Sequence, residues 1–261
     1  MFKNRHLWYN LFMAEKRKWT WWAKTLLLKG ALLFFVVSLG LVLLYRFAPV
    51  PLTPLMVFRS AESIFSDKWV GISKDWVPLE DISPTIQRAV LKAEDYKFYE
   101  HNGFDFDAIE KAYKYNKTHL KKKGASTISQ QTAKNVFLWP HRDWVRKGLE
   151  AYFTVLIEFV WPKDRIMEVY LNVIELGPGV YGVEAAAQKY FKKTAKKLSP
   201  YESSLIAAVL PNPRRFKIDR PSKYVTHRQR RILFREAPPI PKADAALFQF
   251  WDWKLDNEEQ D

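Results

Sequence analysis

Three groups of residues in this sequence bring together side chains that could do chemistry. The first is the acidic pair Glu94-Asp95. The second is Gly124 to Leu138, GASTISQQTAKNVFL, which contains Gln131, Lys134 and Asn135. The third is Arg146-Lys147 with Glu150. A positioned carboxylate can move a proton. A departing diphosphate needs cations and fixed donors rather than a protonating acid. Closed on one another, the three groups would join two carboxylates, Glu94 and Glu150, to a cationic phosphate cradle of Lys134, Arg146 and Lys147, with Gln131 and Asn135 supplying amides. Two readings of the third group stand side by side. Arg146 and Glu150 are four apart and share a helix face, so they can be an ordinary intrahelical pair contributing about 0.3–0.5 kcal/mol. Alternatively, Glu150 holds the arginine, or a divalent ion, for work on a ligand.

The elements that must position these groups are mostly helical. Ser83-Pro84 is a start signal, a capping serine followed by proline at the first helical position. Ile86, Ala89, Val90 and Ala93 then form an apolar stripe. Glu94 lies on its inward edge, where a carboxylate is costly unless something uses or pairs it. Residues 95–106 break the pattern, with a turn at Asn102-Gly103, and a helix follows over about 107–120. Lys121-Lys122-Lys123 reads as a solvated charge run. Thr127 with Gln130 fits a capping box, giving a helix to about Asn135. Phe137-Leu138-Trp139-Pro140, with His141, Arg142 and Trp144 beyond, either rests on a membrane surface or anchors a buried loop. A long helix spans about 143–161. Pro162 ends it and opens KDRIMEVYLNVIE. Glycines 177, 179 and 182 loosen the chain before a helix over 183–191. Ser199-Pro200 with Glu202 starts a last clear helix through Leu210, which Pro211 and Pro213 stop. The segment after it is basic at 228–235 and carries no assigned role.

Ahead of this domain, residues 1–24 are basic and aromatic. Residues 25–47 are long and apolar enough to span a bilayer, with Lys29 able to snorkel. The positive flank precedes the span, which predicts a cytoplasmic N-terminus and a translocated domain. Residues 48–80 form a proline-containing linker and membrane-proximal region, with short strands expected around Met56–Phe58 and Lys68–Ile72. The boundaries read as 1–24, 25–47, 48–80, 81–235 for the main domain, and 236–261 for a tail. The 261 residues carry a formal net charge of +14, which suits nucleic acid, anionic lipid or phosphate-bearing substrates without choosing among them. The chain has no cysteine, which excludes disulfides and thiolate metal sites. HExxH, Walker and GxSxG patterns are absent as well.

Glu94-Asp95…Phe98…His101…Gly103 resembles the ED-x-x-F-x-x-H-x-G signature of the bacterial peptidoglycan glycosyltransferases. Gly124, Ser126, Thr127, Gln130 and Gln131 match G-x-S-T-x-x-Q-Q. Arg146, Lys147 and Glu150 match R-K-x-x-E, and Lys163, Arg165 and Tyr170-Leu171-Asn172 match a basic residue followed by Y-L-N. The likeness runs in order over roughly residues 80–215. No transpeptidase domain follows, so the chain is similar to the monofunctional type. Ala125 departs from the glycine often found beside Gly124 in that family, and nothing is carried onto residues after about Glu236.

The resemblance implies a mainly α, lysozyme-like glycosyltransferase domain with a small jaw lobe, preceded by one transmembrane helix. It implies polymerisation of lipid II into β-1,4 glycan strands with release of undecaprenyl diphosphate, Glu94 acting as general base and Glu150 assisting as the second catalytic carboxylate. Substrate contacts would come from Asp95, Phe98, His101, Gly103, Ser126, Thr127, Gln130, Gln131, Lys134, Asn135, Arg146 and Lys147. Glu150 would orient the cations or hold Mg²⁺ or Mn²⁺, with no organic cofactor. Lipid II, the growing glycan strand and the membrane would be partners, together with other cell-wall synthesis or division proteins, and nucleic acid would not. The domain would be periplasmic, on the inner membrane. Two other readings compete: a lytic, glycan-cleaving enzyme, and a non-catalytic membrane-anchored basic binder.

Overall fold

A computed structural model describes residues 4–64, 71–120, 122–141, 143–238 and 240, with side chains from residue 21 onward. The chain divides into two units between Phe47 and Ala48. The first is the helix α1, Asn4–Phe47. Its stretch Trp21–Phe47 has 27 residues and contains an 18-residue window with a mean hydropathy of 2.5, and at 1.5 Å per residue it is about 40 Å long, enough to cross a bilayer.

The second unit is mainly helical. Its helices are α2 (Pro54–Ile64), α3 (Pro84–Glu94), α4 (Phe106–Thr118), α5 (Ile128–Phe137), α6 (Trp144–Val160), α7 (Lys163–Val173), the short α8 (Val183–Ala186), α9 (Pro200–Val209) and α10 (Lys223–Phe234). Three short strands, β1 (Ser73–Lys74), β2 (Glu175–Gly177) and β3 (Val180–Tyr181), form one small sheet in the order β1-β3-β2. β1 runs parallel and β2 antiparallel to β3.

The capping chemistry read from the sequence sets several boundaries. Ser83 accepts from Thr85 N ahead of Pro84. Thr127 and Gln130 close a reciprocal capping box on α5, as do Ser199 and Glu202 on α9, so each pair satisfies two backbone donors that would otherwise be orphaned. The region after the linker differs from expectation. Met56–Phe58 is helical, because Thr53 Oγ1 accepts from Met56 N at 3.3 Å and Pro54 opens the turn. Met56 is buried and Val57 exposed, a helical rather than an alternating pattern across the surrounding turn. The strand expected around Lys68–Ile72 lies partly outside the described residues, and the observed strand begins at Ser73. The helix expected over 183–191 is α8 followed by a π-helical turn, Ala187–Phe191. The basic stretch left without a role is most of α10, capped by Ser222 and buried along Val225, Gln229 and Ile232. Of the tail, residues 241–261 lie outside the described residues.

Packing places the core in two groups of helices. α3, α9 and α10 pack together, and α5 packs between α6 and α7. Ile86, Val90, Ile128, Met167, Tyr170 and Ile206 are fully buried. Asn172 of α7 fastens the segment before α3 by accepting from Val77 N at 2.9 Å and donating to Val77 O at 2.8 Å. The C-terminal end of α3 lies where the two groups meet, and it carries Glu94.

Candidate active site

Glu94 is the last residue of α3 and Asp95 is its C-cap. The two neighbouring carboxylates face different tasks. Asp95 is buried and accepts from the backbone N–H of Ile128, the first residue of α5, at 2.9 Å. It also takes a hydrogen bond from His101 Nε2 at 3.0 Å. The end of α3 is thereby tied to the start of α5, which brings Gln131, one turn along, to Glu94.

The rest of the signature 98–103 builds the same joint. Phe98 is fully buried, with Lys163 Nζ 4.6 Å above its ring. Lys163 also donates to His101 O at 2.6 Å and to Glu158 at 2.7 Å. Gly103 O accepts from Thr127 Oγ1 at 2.7 Å. Asp95, Phe98, His101, Gly103 and Thr127 were expected to touch substrate. Their side chains and the Gly103 carbonyl are instead spent on one another and on α5 to α7, and none of these residues lines the cleft. Gly103 has φ +87, and a Cβ there would lie 2.7 Å from Thr154 Cγ2. Gly103→Ala is expected to destabilise the fold by about 1–3 kcal/mol, read as a lower midpoint in chemical denaturation.

Glu94 is treated differently. Its side chain is 15 % exposed. Its Oε2 accepts from Gln131 Nε2 at 3.0 Å, and its Oε1 accepts from Arg228 Nη2 of α10 at 3.1 Å. Gln131 is held in turn by Tyr170, whose hydroxyl donates to Gln131 Oε1 at 3.3 Å. That bond fixes which end of the amide faces the carboxylate. Burial raises the Glu94 pKa above the ordinary carboxylate value, and the Gln131 hydrogen bond, Arg228 and Lys134 oppose the rise. The C-terminal end of a helix also disfavours negative charge.

Beyond Gln131 opens a cleft of about 610 Å³. Ser126, Gln130, Gln131, Lys134 and Asn135 line it from α5 and the turn before it, and Arg146, Lys147 and Glu150 line it from α6. Leu55, Arg59, Glu175 and Arg214 form part of the remaining wall. Five cations and two carboxylates among the lining residues leave the cleft positive, as an anionic ligand requires. Glu94 is not among the lining residues and reaches the cleft through Gln131.

Arg146 and Glu150 are both buried and pair at 3.2 Å, and Lys147 holds the other Glu150 oxygen. Arg146 N donates to the capping residue Asp143 at 2.7 Å, which fixes the first turn of α6. Arg146 Nε is buried with no hydrogen-bond partner among the described residues, a donor left over for a ligand. The donor set does not fit a divalent ion held by the protein. Each Glu150 oxygen is engaged by a cation, and the described residues contain no group of three or more metal-ligating His, Cys, Asp or Glu.

The apolar excursion at 137–139 turns inward. Phe137 stacks on Phe153 at 4.4 Å and Leu138 is buried, while Trp139 lines the cleft and donates to Asp143 at 2.9 Å. Trp144 is 90 % exposed.

Sequence reasoning missed Arg228. The signal that could have found its helix is Ser222 as cap with Val225, Gln229 and Ile232 at helical spacing; the contact with Glu94, 134 positions away, is tertiary.

A family model described as Transglycosylase matches residues 64–236. The chain is 74% identical over 246 residues to a biosynthetic peptidoglycan transglycosylase of Bdellovibrio bacteriovorus, covering 94% of this chain and 96% of that relative. Proteins of the same description from Caulobacter vibrioides and Bacteroides thetaiotaomicron are 54% and 53% identical. They cover 77% and 82% of this chain and 86% and 89% of their own lengths.

Proposed function

This chain belongs to the transglycosylase family and is a peptidoglycan glycosyltransferase with a lysozyme-like helical domain, and from that premise we propose how its cleft performs the reaction. The donor is the growing, lipid-linked glycan strand and the acceptor is lipid II. Glu94 takes the proton from the acceptor 4-hydroxyl as that oxygen bonds to the donor's anomeric carbon. The bond from that carbon to the diphosphate oxygen breaks, the configuration inverts, and undecaprenyl diphosphate leaves with its electron pair. Lys134, Arg146 and Lys147 hold the diphosphate, and Asn135 adds an amide donor. Glu150 keeps Arg146 in place.

The observation that carries this reading is Gln131. It donates to Glu94 and also lines the cationic cleft, so base and leaving-group site share one side chain. The raised pKa of Glu94 suits a general base that works near neutrality. A lytic enzyme would have no use for the excess of cations.

The helix α1 supports placement on a membrane, since the substrate is lipid-linked and the span precedes the domain. We place the N-terminus in the cytoplasm and the domain outside it, on the inner membrane. Labelled lipid II given to the full-length protein in detergent should yield glycan polymer; turnover of finished sacculi alone would overturn the reading.

Arg228 gives a second test. Its charge favours the ionised form of Glu94. Arg228→Gln should therefore raise the pKa of the base and move the acid limb of kcat/KM to higher pH, with activity recovering as pH rises. Arg228→Lys, which keeps the charge, should show a smaller shift. A purely structural role for Arg228 would lower activity without moving the limb.

A further inference from the structure

A groove of about 260 Å³, sharing no lining residue with the cleft just described, opens between α3, α9 and α10. Arg88 and Lys92, one turn apart on α3, stand at its edge, and Ala89, Pro200, Ile232 and Leu233 give it an apolar floor. Arg235, just past α10, does not line the groove but lies beside Lys92. It donates to Lys92 O at 2.7 Å and its guanidinium lies 4.4 Å above the Tyr96 ring. Lys92 is half-buried and donates to Leu233 O at 3.5 Å.

Several cations elsewhere in the domain are held by acids. Arg59, Lys97, Lys163, Arg165, Lys193 and Lys196 each have a carboxylate partner. Arg88, Lys92 and Arg235 have no salt bridge among the described residues, and no carboxylate lines the groove. Burial, then Arg88, then Arg235 lower the Lys92 pKa, with no acid opposing them. Two like charges on the rim of a concave apolar groove, with a third beside Lys92, are costly alone and favourable with an anion in place.

The groove's shape narrows the ligand. Its volume of about 260 Å³ lies just below the range of pockets that bury most of a drug-sized molecule, a size suited to the end of a chain. Its hydroxyls are committed internally: Thr85 Oγ1 bonds Leu198 O and Ser203 Oγ, and Ser204 Oγ donates to Tyr201 O, which leaves little for sugar recognition. An aliphatic segment ending in a carboxylate matches floor and rim together.

We propose that this groove is an anion site for a carboxylate of the stem peptide carried by the peptidoglycan substrate, separate from the diphosphate cradle. The proposal rests on the peptidoglycan reading. Because Lys92 and Glu94 lie on one helix two residues apart, their backbones are separated by no more than about the width of a helix, 10–12 Å. A strand presented to Glu94 would thus hang its peptide within reach of the groove.

The test is binding of a water-soluble muramyl pentapeptide to the full-length protein in detergent, measured by calorimetry. The double variant Arg88→Gln/Lys92→Gln, with its melting curve as a folding control, should bind about tenfold more weakly, as expected when charge-assisted hydrogen bonds are lost. The same peptide with its carboxylates amidated should bind wild type about as weakly. Arg235→Gln is an independent variant and should act in the same direction. Undetectable binding to wild type, equal affinity of free and amidated peptides, or unchanged affinity in the variants would each overturn the proposal. So would inorganic phosphate that binds wild type more tightly than the peptide and displaces it, which would reassign the groove to a headgroup phosphate. The readout does not require turnover: failure of lipid II polymerisation would remove the reaction proposed above, while the binding result would still decide the groove.

Discussion

Glu94→Gln is expected to lower lipid II polymerisation by about 10²–10⁴-fold, the range that a positioned general base contributes, with no fall in melting temperature. The substitution keeps the shape of the side chain, and an amide oxygen can still accept from Gln131. It removes the carboxylate that faces Gln131 and Arg228 and is placed to take the acceptor proton. The stability half of the prediction follows from the direction of the pKa shift. Glu94 has a folded pKa raised above its unfolded value, chiefly by burial. Its ionised form is therefore less favourable folded than unfolded, and above the unfolded pKa this costs stability. A neutral amide removes that cost, while Arg228, which is 26 % exposed, can turn its charge to water. Polymerisation by Glu94→Gln at the wild-type rate would take the role of base away from Glu94. A large fall in melting temperature would mean that Glu94 is a structural partner of Arg228 instead.

The parts of this site that sequence made legible are those set by local chemistry. Ser83, Thr127 and Ser199 cap the helices that their types and spacings predict, because a side-chain oxygen two or three residues from a free backbone N–H acts without help from the rest of the chain. Glu94 was legible as an anomaly, a carboxylate on the inward edge of an apolar stripe. Its neighbours were not. Asp95, Phe98, His101 and Gly103 sit in the same signature, yet they turn away from the cleft. A single residue step past the end of α3 swings the chain from the helical region to φ −156 at Asp95, and the direction of that swing depends on α5, some thirty residues on. Arg228 was hidden for a similar reason: a basic stretch looks solvated until the fold places one of its arginines on a carboxylate. At Met56–Phe58, apolar residues suggested a strand, and a proline with a capping threonine decided for a helix.

Arg146 and Glu150 remained open to two readings by spacing, and the structure makes them separable. An exposed pair would contribute little. Here both side chains are buried, so removing one partner leaves a charge in the interior, which costs about 3–5 kcal/mol. Glu150→Ala should therefore destabilise the protein strongly, moderated because Arg146 and Lys147 can redirect toward the open cleft. Arg146→Ala should lower kcat/KM for lipid II by about 10²–10³-fold, the loss expected when one preorganised group at a developing anion is removed. The double variant distinguishes the two roles. In denaturation, Arg146→Ala/Glu150→Ala should be more stable than Glu150→Ala, because no unpaired arginine remains. In catalysis it should be no better than Arg146→Ala, because Glu150 acts on the diphosphate only through the cations it holds. Double-variant activity well below that of Arg146→Ala would give Glu150 a part of its own in the reaction. Wild-type kcat/KM in Arg146→Ala at low lipid II would remove the arginine from the cradle and leave Lys134 and Lys147 to hold the leaving group.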